Sequence, residues 1–232
     1  MLKIEENVPI RNLVTMRIGG PARYVITVTS KEEIPEAYQF AKEHNLPVCV
    51  LGGGANTFAK DEGFNGVIIL DRIMGISRVE NPEDESSEDK SSEGGDIAYF
   101  KAYGGEQWDD LVTYVSERGY SGIEAMAGIP GTAGAAPVQN IGAYGQEVTQ
   151  VIVSVDAYDT KTGEFVVIPA SEMKMSYRKS IFNSGENVGR YFIYATTVRV
   201  KKGQLLRFIV PCRPMLTNIT RRIFPHSILL AW

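Results

Sequence analysis

A chain of 232 residues that is 44% hydrophobic and 22% charged has the composition of one large or two small globular domains, which excludes a disordered or fibrous protein. It has no apolar run near the ~18 residues of a membrane span, no signal-peptide layout after Met1, and only Cys49, Cys212, His44 and His226 as soft ligands; we therefore expect a cytoplasmic protein without a membrane span, disulfide framework or structural metal. The formal net charge of −4 is unevenly distributed: all 28 acidic residues precede position 187, whereas residues 187–232 hold eight basic residues and no acidic one.

In chain order, residues 24–28 read as a strand. Residues 30–45 read as a helix, because Ile34, Ala37, Tyr38 and Ala41 fall at helical spacing. Ser30 and Glu33 are placed to form a capping box. Short apolar runs at 48–51 and 67–70, bounded by glycines, read as buried strands, giving a β-α-β-β start. Residues 79–96 contain eight acidic residues and one base, Lys90, and are expected to form a mobile surface loop; they lack the spacing of an EF-hand calcium site. A strand at 97–103 and a second amphipathic helix at 107–118 follow, the latter with Trp108, Leu111, Val112 and Val115 on one face and Gly119 as its stop. After a glycine-rich stretch at 128–145, residues 151–159 and 164–168 read as a hairpin and 191–200 as a long strand. The fold class is α+β.

Three segments can carry chemistry. Leu51-Gly52-Gly53-Gly54-Ala55-Asn56-Thr57 leaves a strand directly, so backbone N–H groups unshielded by Cβ atoms can approach an anion such as a pyrophosphate; a bare tight turn would use the same glycines. Gly52, Gly54 and Asp71 match part of a Rossmann fingerprint. That fold is rejected because Thr57 occupies the third glycine position, and because the interval to the next strand lacks the helix that a parallel crossover is expected to need. The second segment, Gly128 to Pro137, is almost wholly small residues and lacks a Walker ending; it suits backbone running close to an extended ligand or to a packed element. The third, Ser176-Tyr177-Arg178-Lys179-Ser180-Ile181-Phe182, offers in Arg178 a guanidinium suited to a carboxylate, although a surface arginine is the default for any single one.

Together these phrases resemble the UDP-N-acetylenolpyruvoylglucosamine reductase (UDP-N-acetylmuramate dehydrogenase) family of flavoenzymes in cell-wall precursor synthesis. The resemblance rests on Thr15-Met16-Arg17-Ile18-Gly19-Gly20-Pro21-Ala22, on Leu51 to Asn56, on Ala127-Gly128-Ile129-Pro130-Gly131 through Gln139-Asn140-Ile141-Gly142-Ala143-Tyr144-Gly145, and on Tyr177-Arg178-x-Ser180-x-Phe182, all in family order. It implies an FAD-binding domain of the vanillyl-alcohol-oxidase (PCMH) type, built from two α+β subdomains, here expected at 1–75 and 76–202. It also implies NADPH as hydride source, a UDP-sugar substrate, and no nucleic-acid partner; a monomer is favoured.

By carry-over, Gly53, Gly54, Ala55 and Asn56 would bind the FAD pyrophosphate, with Gly52 and Thr57 also counted as cofactor-binding. Pro130, Gly131, Gly134, Ala135 and Ala136 would line the dinucleotide and flavin, and Asn140, Gly142 and Tyr144 would complete the pocket. Arg178 would polarise the enolpyruvyl carboxylate as the catalytic residue. The family's serine proton donor, in a Gly-Ser-Phe-Phe-type phrase, and its late glutamate have no counterpart in residues 203–232, which form an atypical tail where the substrate domain is expected. Impaired turnover is therefore expected. The alternative is a non-catalytic FAD-binding or partner-interaction module whose Arg207, Arg213, Arg221 and Arg222 engage a partner.

Overall fold

The computed structural model describes residues 2–81 and 97–203. The first sheet contains β1 (Lys3–Pro9), β2 (Pro21–Val28), β3 (Val48–Leu51) and β4 (Phe64–Asp71), with helix α1 (Glu33–Glu43) between β2 and β3. Its strand order is β1-β2-β4-β3; β1 is antiparallel to β2, while β4 runs parallel to both β2 and β3. The continuous run Val67-Ile68-Ile69-Leu70 suits a central strand buried on both faces. Val67 and Ile69 pack with Ile34, Ala37 and Ala41 of α1, and Ile68 and Leu70 pack on the other face with Ile10, Val14 and Val25.

Two expectations are corrected here. Parallel β3 and β4 are joined by residues 52–63 without a helix, so a crossover loop of that length closes a parallel pair by itself. The Rossmann fold remains excluded, but not for want of a crossover. The predicted Ser30–Glu33 capping box does not form either. The chain already turns through residues 30–32, and the Glu33 carboxylate reaches back one residue further, accepting the Thr29 N–H at 2.7 Å and the Thr29 hydroxyl at 3.0 Å. Strand β1 had no sequence signal, because Lys3, Glu5 and Glu6 make it a charged, exposed edge without apolar alternation.

The second sheet contains β5 (Ile76–Val79), β6 (Ile97–Tyr103), β7 (Tyr120–Ser121), β10 (Ile152–Asp159), β11 (Glu164–Pro169) and β12 (Tyr191–Lys202), with α2 (Trp108–Glu117) after β6 and a small β8 (Gly142–Ala143)–β9 (Gln146–Glu147) hairpin outside it. Its order is β11-β10-β12-β6-β5, antiparallel throughout, with β7 on the end of β12. The apolar face of α2, Trp108, Leu111, Val112 and Val115, packs on Phe100, Ala102 and Val155, and the glycine-rich segment closes that core with Ala133, Ala136 and Ile141.

The sheets meet across α1, whose Tyr38 ring lies 5.7 Å from Tyr158 and 6.4 Å from Phe192 of the second sheet. Nearby, Gly104 lies so close to the Asp71 carboxylate that a Cβ there would collide with it. The predicted acidic loop, from residue 82 onward, and the basic tail, from residue 204, lie outside the described residues.

Candidate cofactor site

The loop leaving β3, residues 52–57, and the small-residue segment after β7 face each other across a cavity of about 360 Å³. The loop is held from behind. Thr15 N–H donates to the Gly54 carbonyl at 3.0 Å, and Arg72 Nη1 donates to the Gly52 carbonyl at 3.0 Å. Gly54 has φ +65° and a Cβ there would collide with the Leu13 carbonyl oxygen, so this position requires glycine. A Cβ on Gly53 would sit 3.3 Å from Gly131 Cα, and one on Gly52 would collide with the Thr132 hydroxyl. The two walls are therefore as close as side-chain-free backbone permits. The N–H groups of residues 53–56 donate to no described acceptor.

The opposite wall is laced along the start of α2. Trp108 N–H donates to the Gly131 carbonyl at 3.0 Å, Ala133 N–H to the Glu106 carbonyl at 2.8 Å, and Gly134 N–H to the Gly104 carbonyl at 3.1 Å. Gly134 does not line the cavity; it backs the wall, where a Cβ would lie 2.7 Å from the Ile193 carbonyl oxygen. Across the cavity mouth, Asn56 Nδ2 donates to Gln139 Oε1 at 3.0 Å and ties the walls together. Two buried polar atoms of lining residues, Thr132 Oγ1 and Trp108 Nε1, have no hydrogen-bond partner. Buried polar atoms are normally satisfied, so these two orphans, with four free N–H groups and glycine walls, fit a ligand rich in acceptors such as a diphosphate.

Of the residues expected to bind cofactor, the structure brings together Gly52, Gly53, Gly54, Ala55, Asn56, Thr57, Pro130, Gly131, Ala135 and Ala136 on this one cavity. Four do not line it: Gly134, which backs the wall, and Asn140, Gly142 and Tyr144. Asn140 is buried, donating to Glu147 Oε2 at 2.7 Å and to the Ser176 carbonyl at 3.1 Å, and accepting the Thr149 N–H at 3.0 Å. Gly142 lies in β8 with the Gln146 carbonyl oxygen 2.5 Å from where its Cβ would be, and Tyr144 is 86% exposed at the β8–β9 turn. Sequence reading had put Trp108 in the core of α2 and had no means of placing Thr132 or Asn183 on the cavity, where all three are found.

Arg178 sits at the tip of a tight turn closed by Ser176 N–H to the Lys179 carbonyl at 2.9 Å and Lys179 N–H to the Ser176 carbonyl at 3.0 Å. This turn is stitched to the cavity wall: Ser180 Oγ donates to the Val138 carbonyl at 2.6 Å, and Asn183 Nδ2 donates to the Arg178 carbonyl at 3.1 Å. Val138 and Asn183 both line the cavity. No described carboxylate forms an ion pair with Arg178, so its fork is available to a bound one.

Asp71 does not line the cavity. It is buried at the end of β4, accepts the Ile73 N–H at 3.0 Å, and has its carboxyl pushed up to about 7 by desolvation, against the lowering effects of that hydrogen bond and of Arg72. Among the described residues no cluster of His, Cys, Asp or Glu is suited to hold a metal ion, and no helix is long and apolar enough to cross a membrane.

Comparison with known proteins agrees with this geometry. Residues 22–168 match the family model described as an FAD binding domain. The chain is 40% identical over 176 residues to a UDP-N-acetylenolpyruvoylglucosamine reductase of Streptomyces avermitilis, covering 76% of this chain and 44% of the relative. To the corresponding protein of Amoebophilus asiaticus it is 36% identical over 202 residues, covering 87% and 55%. The chain thus spans about half the length of these relatives. Among solved structures, the UDP-N-acetylenolpyruvylglucosamine reductase of Thermus caldophilus superposes with a TM-score of 0.69 at 23% identity, covering 98% of this chain and 72% of that one. A 6-hydroxy-D-nicotine oxidase of Arthrobacter nicotinovorans superposes at 0.59 and 17% identity, covering 87% and 42%. Both share the fold.

Proposed function

The chain belongs to the FAD-binding-domain family, and on that premise we propose that it is the cofactor-binding part of a UDP-N-acetylenolpyruvoylglucosamine reductase, a cytoplasmic enzyme of peptidoglycan precursor synthesis that takes hydride from NADPH. The observation that carries this reading is the glycine-walled cavity between residues 52–57 and 130–136, with the Arg178 turn bonded to its rim.

The residues divide the work by chemistry. Residues 53–56 line the cavity and their N–H groups donate to no described acceptor, so they would hold the FAD diphosphate, on a loop that Thr15 and Arg72 already fix. The small residues Gly131, Ala135 and Ala136 would line the dinucleotide, and Ile141 and Val138 add apolar lining. Bound FAD supplies the hydride chemistry. Arg178 would clamp the carboxylate of the enolpyruvyl substrate and stabilise the negative charge that builds on it during reduction, a contribution typically of a few kcal/mol.

Residues 203–232 offer no counterpart of the family's serine phrase and glutamate. The described residues are expected to bind FAD. The test is FAD binding by flavin fluorescence, followed by NADPH oxidation dependent on UDP-N-acetylglucosamine enolpyruvate. Failure to bind FAD refutes the reading; FAD binding with no substrate-dependent oxidation supports the non-catalytic alternative.

A further inference from the structure

We propose that Asp71 is a positioning residue of the cofactor cavity, joined to one wall through Arg72 and to the other through Gly104, and that ionising it weakens FAD binding. The inference rests on the assignment of the cavity to FAD, and deepens it.

Asp71 lines no part of the cavity, yet both walls are built on its surroundings. On one side, Arg72 Nη1 donates to the Gly52 carbonyl at 3.0 Å, at the root of the loop whose residues 53–56 line the cavity. On the other side, the Gly104-Gly105 turn lies flush on residues 71–73. A Cβ on Gly104 would collide with Asp71 Oδ2, one on Gly105 would lie 2.7 Å from Arg72 Cα, and the Gly105 N–H donates to the Ile73 carbonyl at 2.9 Å. The Gly104 carbonyl in turn accepts the N–H of Gly134, which backs the second wall, at 3.1 Å. A Cβ on Gly134 would lie only 2.9 Å from Gly104 Cα. Backbone packed this closely has no side chains to absorb a shift, so a change at the Asp71 carboxyl is passed on to both walls.

The bonds of Arg72 suit a neutral neighbour. It forms no ion pair with a described carboxylate, and its Nη1 is engaged by the carbonyl oxygens of Gly52 and, at 2.6 Å, of Asp71 itself. Burial raises the Asp71 carboxyl to about 7, although the Ile73 N–H and the Arg72 charge both favour the anion. Once ionised, the carboxylate competes with the Gly52 carbonyl for the guanidinium of the next residue, because a guanidinium prefers a carboxylate to a neutral oxygen. Arg72 turning to it releases the cofactor loop. The titratable groups on the elements packed around Asp71 are Arg72, Tyr103 and Glu106 on either side of Gly104-Gly105, and Tyr194 on β12; Val28 of β2 does not titrate. Glu106 Oε1 is engaged by the Gly75 N–H at 2.6 Å, and among these groups Arg72 is the charge that acts on the carboxyl.

The test uses the full 232-residue chain and its Asp71→Asn and Arg72→Gln variants. FAD dissociation constants are measured from about pH 6 to about pH 9, and the protons taken up on binding by calorimetry in buffers of different ionisation heat. Losing one hydrogen bond to a charged group weakens binding about tenfold, which by linkage places the carboxyl about one pKa unit higher in the FAD complex. Because the bound value lies above the free one, affinity is full below the free value, falls as pH rises through both, and levels off above them. Wild-type affinity is therefore expected to fall roughly eightfold relative to Asp71→Asn across that range, with about half a proton taken up near pH 7.5. Arg72→Gln should flatten the profile with Asp71 still present.

A wild-type profile parallel to that of Asp71→Asn traces any loss to packing and overturns the inference while leaving the FAD assignment standing. Wild-type binding without proton uptake does the same, as does an Arg72→Gln profile as steep as the wild type's. If Asp71→Asn does not fold, wild-type proton uptake and the Arg72→Gln profile decide on the same terms. Absence of FAD binding by the wild type overturns the cavity assignment and the inference together.

Discussion

Replacing Asp71 by Asn tests whether a carboxyl at the junction of the two sheets is neutral in the folded protein. The side chain is 3% exposed and lies against Gly104, and the neighbouring cation does not neutralise it: Arg72 directs Nη1 at the Gly52 and Asp71 carbonyl oxygens, at 3.0 and 2.6 Å. Burial lifts the Asp71 pKa from 3.8 to about 7. Because the folded value is above the unfolded one, the native state binds the extra proton between these limits, and its stability falls as pH rises from about 4 to about 7 and levels off above. At about 1.4 kcal/mol per pKa unit, the wild type loses roughly 2 to 3 kcal/mol relative to Asp71→Asn between about pH 5 and about pH 8. Asparagine keeps the Oδ1 acceptor for the Ile73 N–H and never ionises, so all other titrations cancel in the difference. Urea unfolding of both proteins across that range measures it. A difference that does not change with pH would falsify the buried-neutral reading and require Asp71 to be ionised in the native state throughout.

Three further outcomes follow from the same geometry. Gly54→Ala forces a Cβ onto the Leu13 carbonyl at φ +65° and is expected to destabilise the protein by about 1 to 3 kcal/mol and weaken FAD binding, measured by thermal unfolding and flavin titration. Arg178→Gln should leave FAD affinity within about threefold while lowering any substrate-dependent NADPH oxidation by about 10² or more; an equal loss in FAD binding would place Arg178 in the cofactor site instead. At the β10–β11 end, Arg190 Nε and Nη2 grip Asp159 at 2.9 and 2.6 Å and hold its carboxyl below the usual range. A depressed folded pKa confers stability above about pH 4 that is lost as pH falls, so Asp159→Asn should lower the urea midpoint at neutral pH and converge with wild type in acid.

Asp71 and Arg72 link the sheet junction to the cofactor loop. Arg72, the residue after it, holds the Gly52 carbonyl, so the junction of the sheets and the first turn of the cofactor loop are supported by consecutive residues at the end of β4. That is a tertiary arrangement: Asp71 ends β4 of the first sheet, Gly104 follows β6 of the second, and the carboxyl occupies the place that a side chain at 104 would take.

Local chemistry made much of the chain legible. The spacing of Ile34, Ala37 and Ala41 and of Trp108, Leu111, Val112 and Val115 marked α1 and α2, since a helix repeats its buried face every three to four residues whatever it packs against. The glycines at 52–54 and the small residues of 131–136 marked two places where backbone must approach something closely. What they approach was not legible, because that depends on contacts between distant segments. The contact of Gly53 with Gly131, the Asn56–Gln139 bond across 83 residues, and the insertion of β4 between β2 and β3 exist only once the sheets have formed. For the same reason nothing in the glycine-rich phrase around Asn140 shows that the folded chain bonds its amide to Glu147, Ser176 and Thr149. Thr132 is the converse case. Its sequence neighbours mark it as one small residue among several, and only the packed structure leaves its hydroxyl buried without a partner, because which polar groups are satisfied is decided by neighbours that periodicity does not specify.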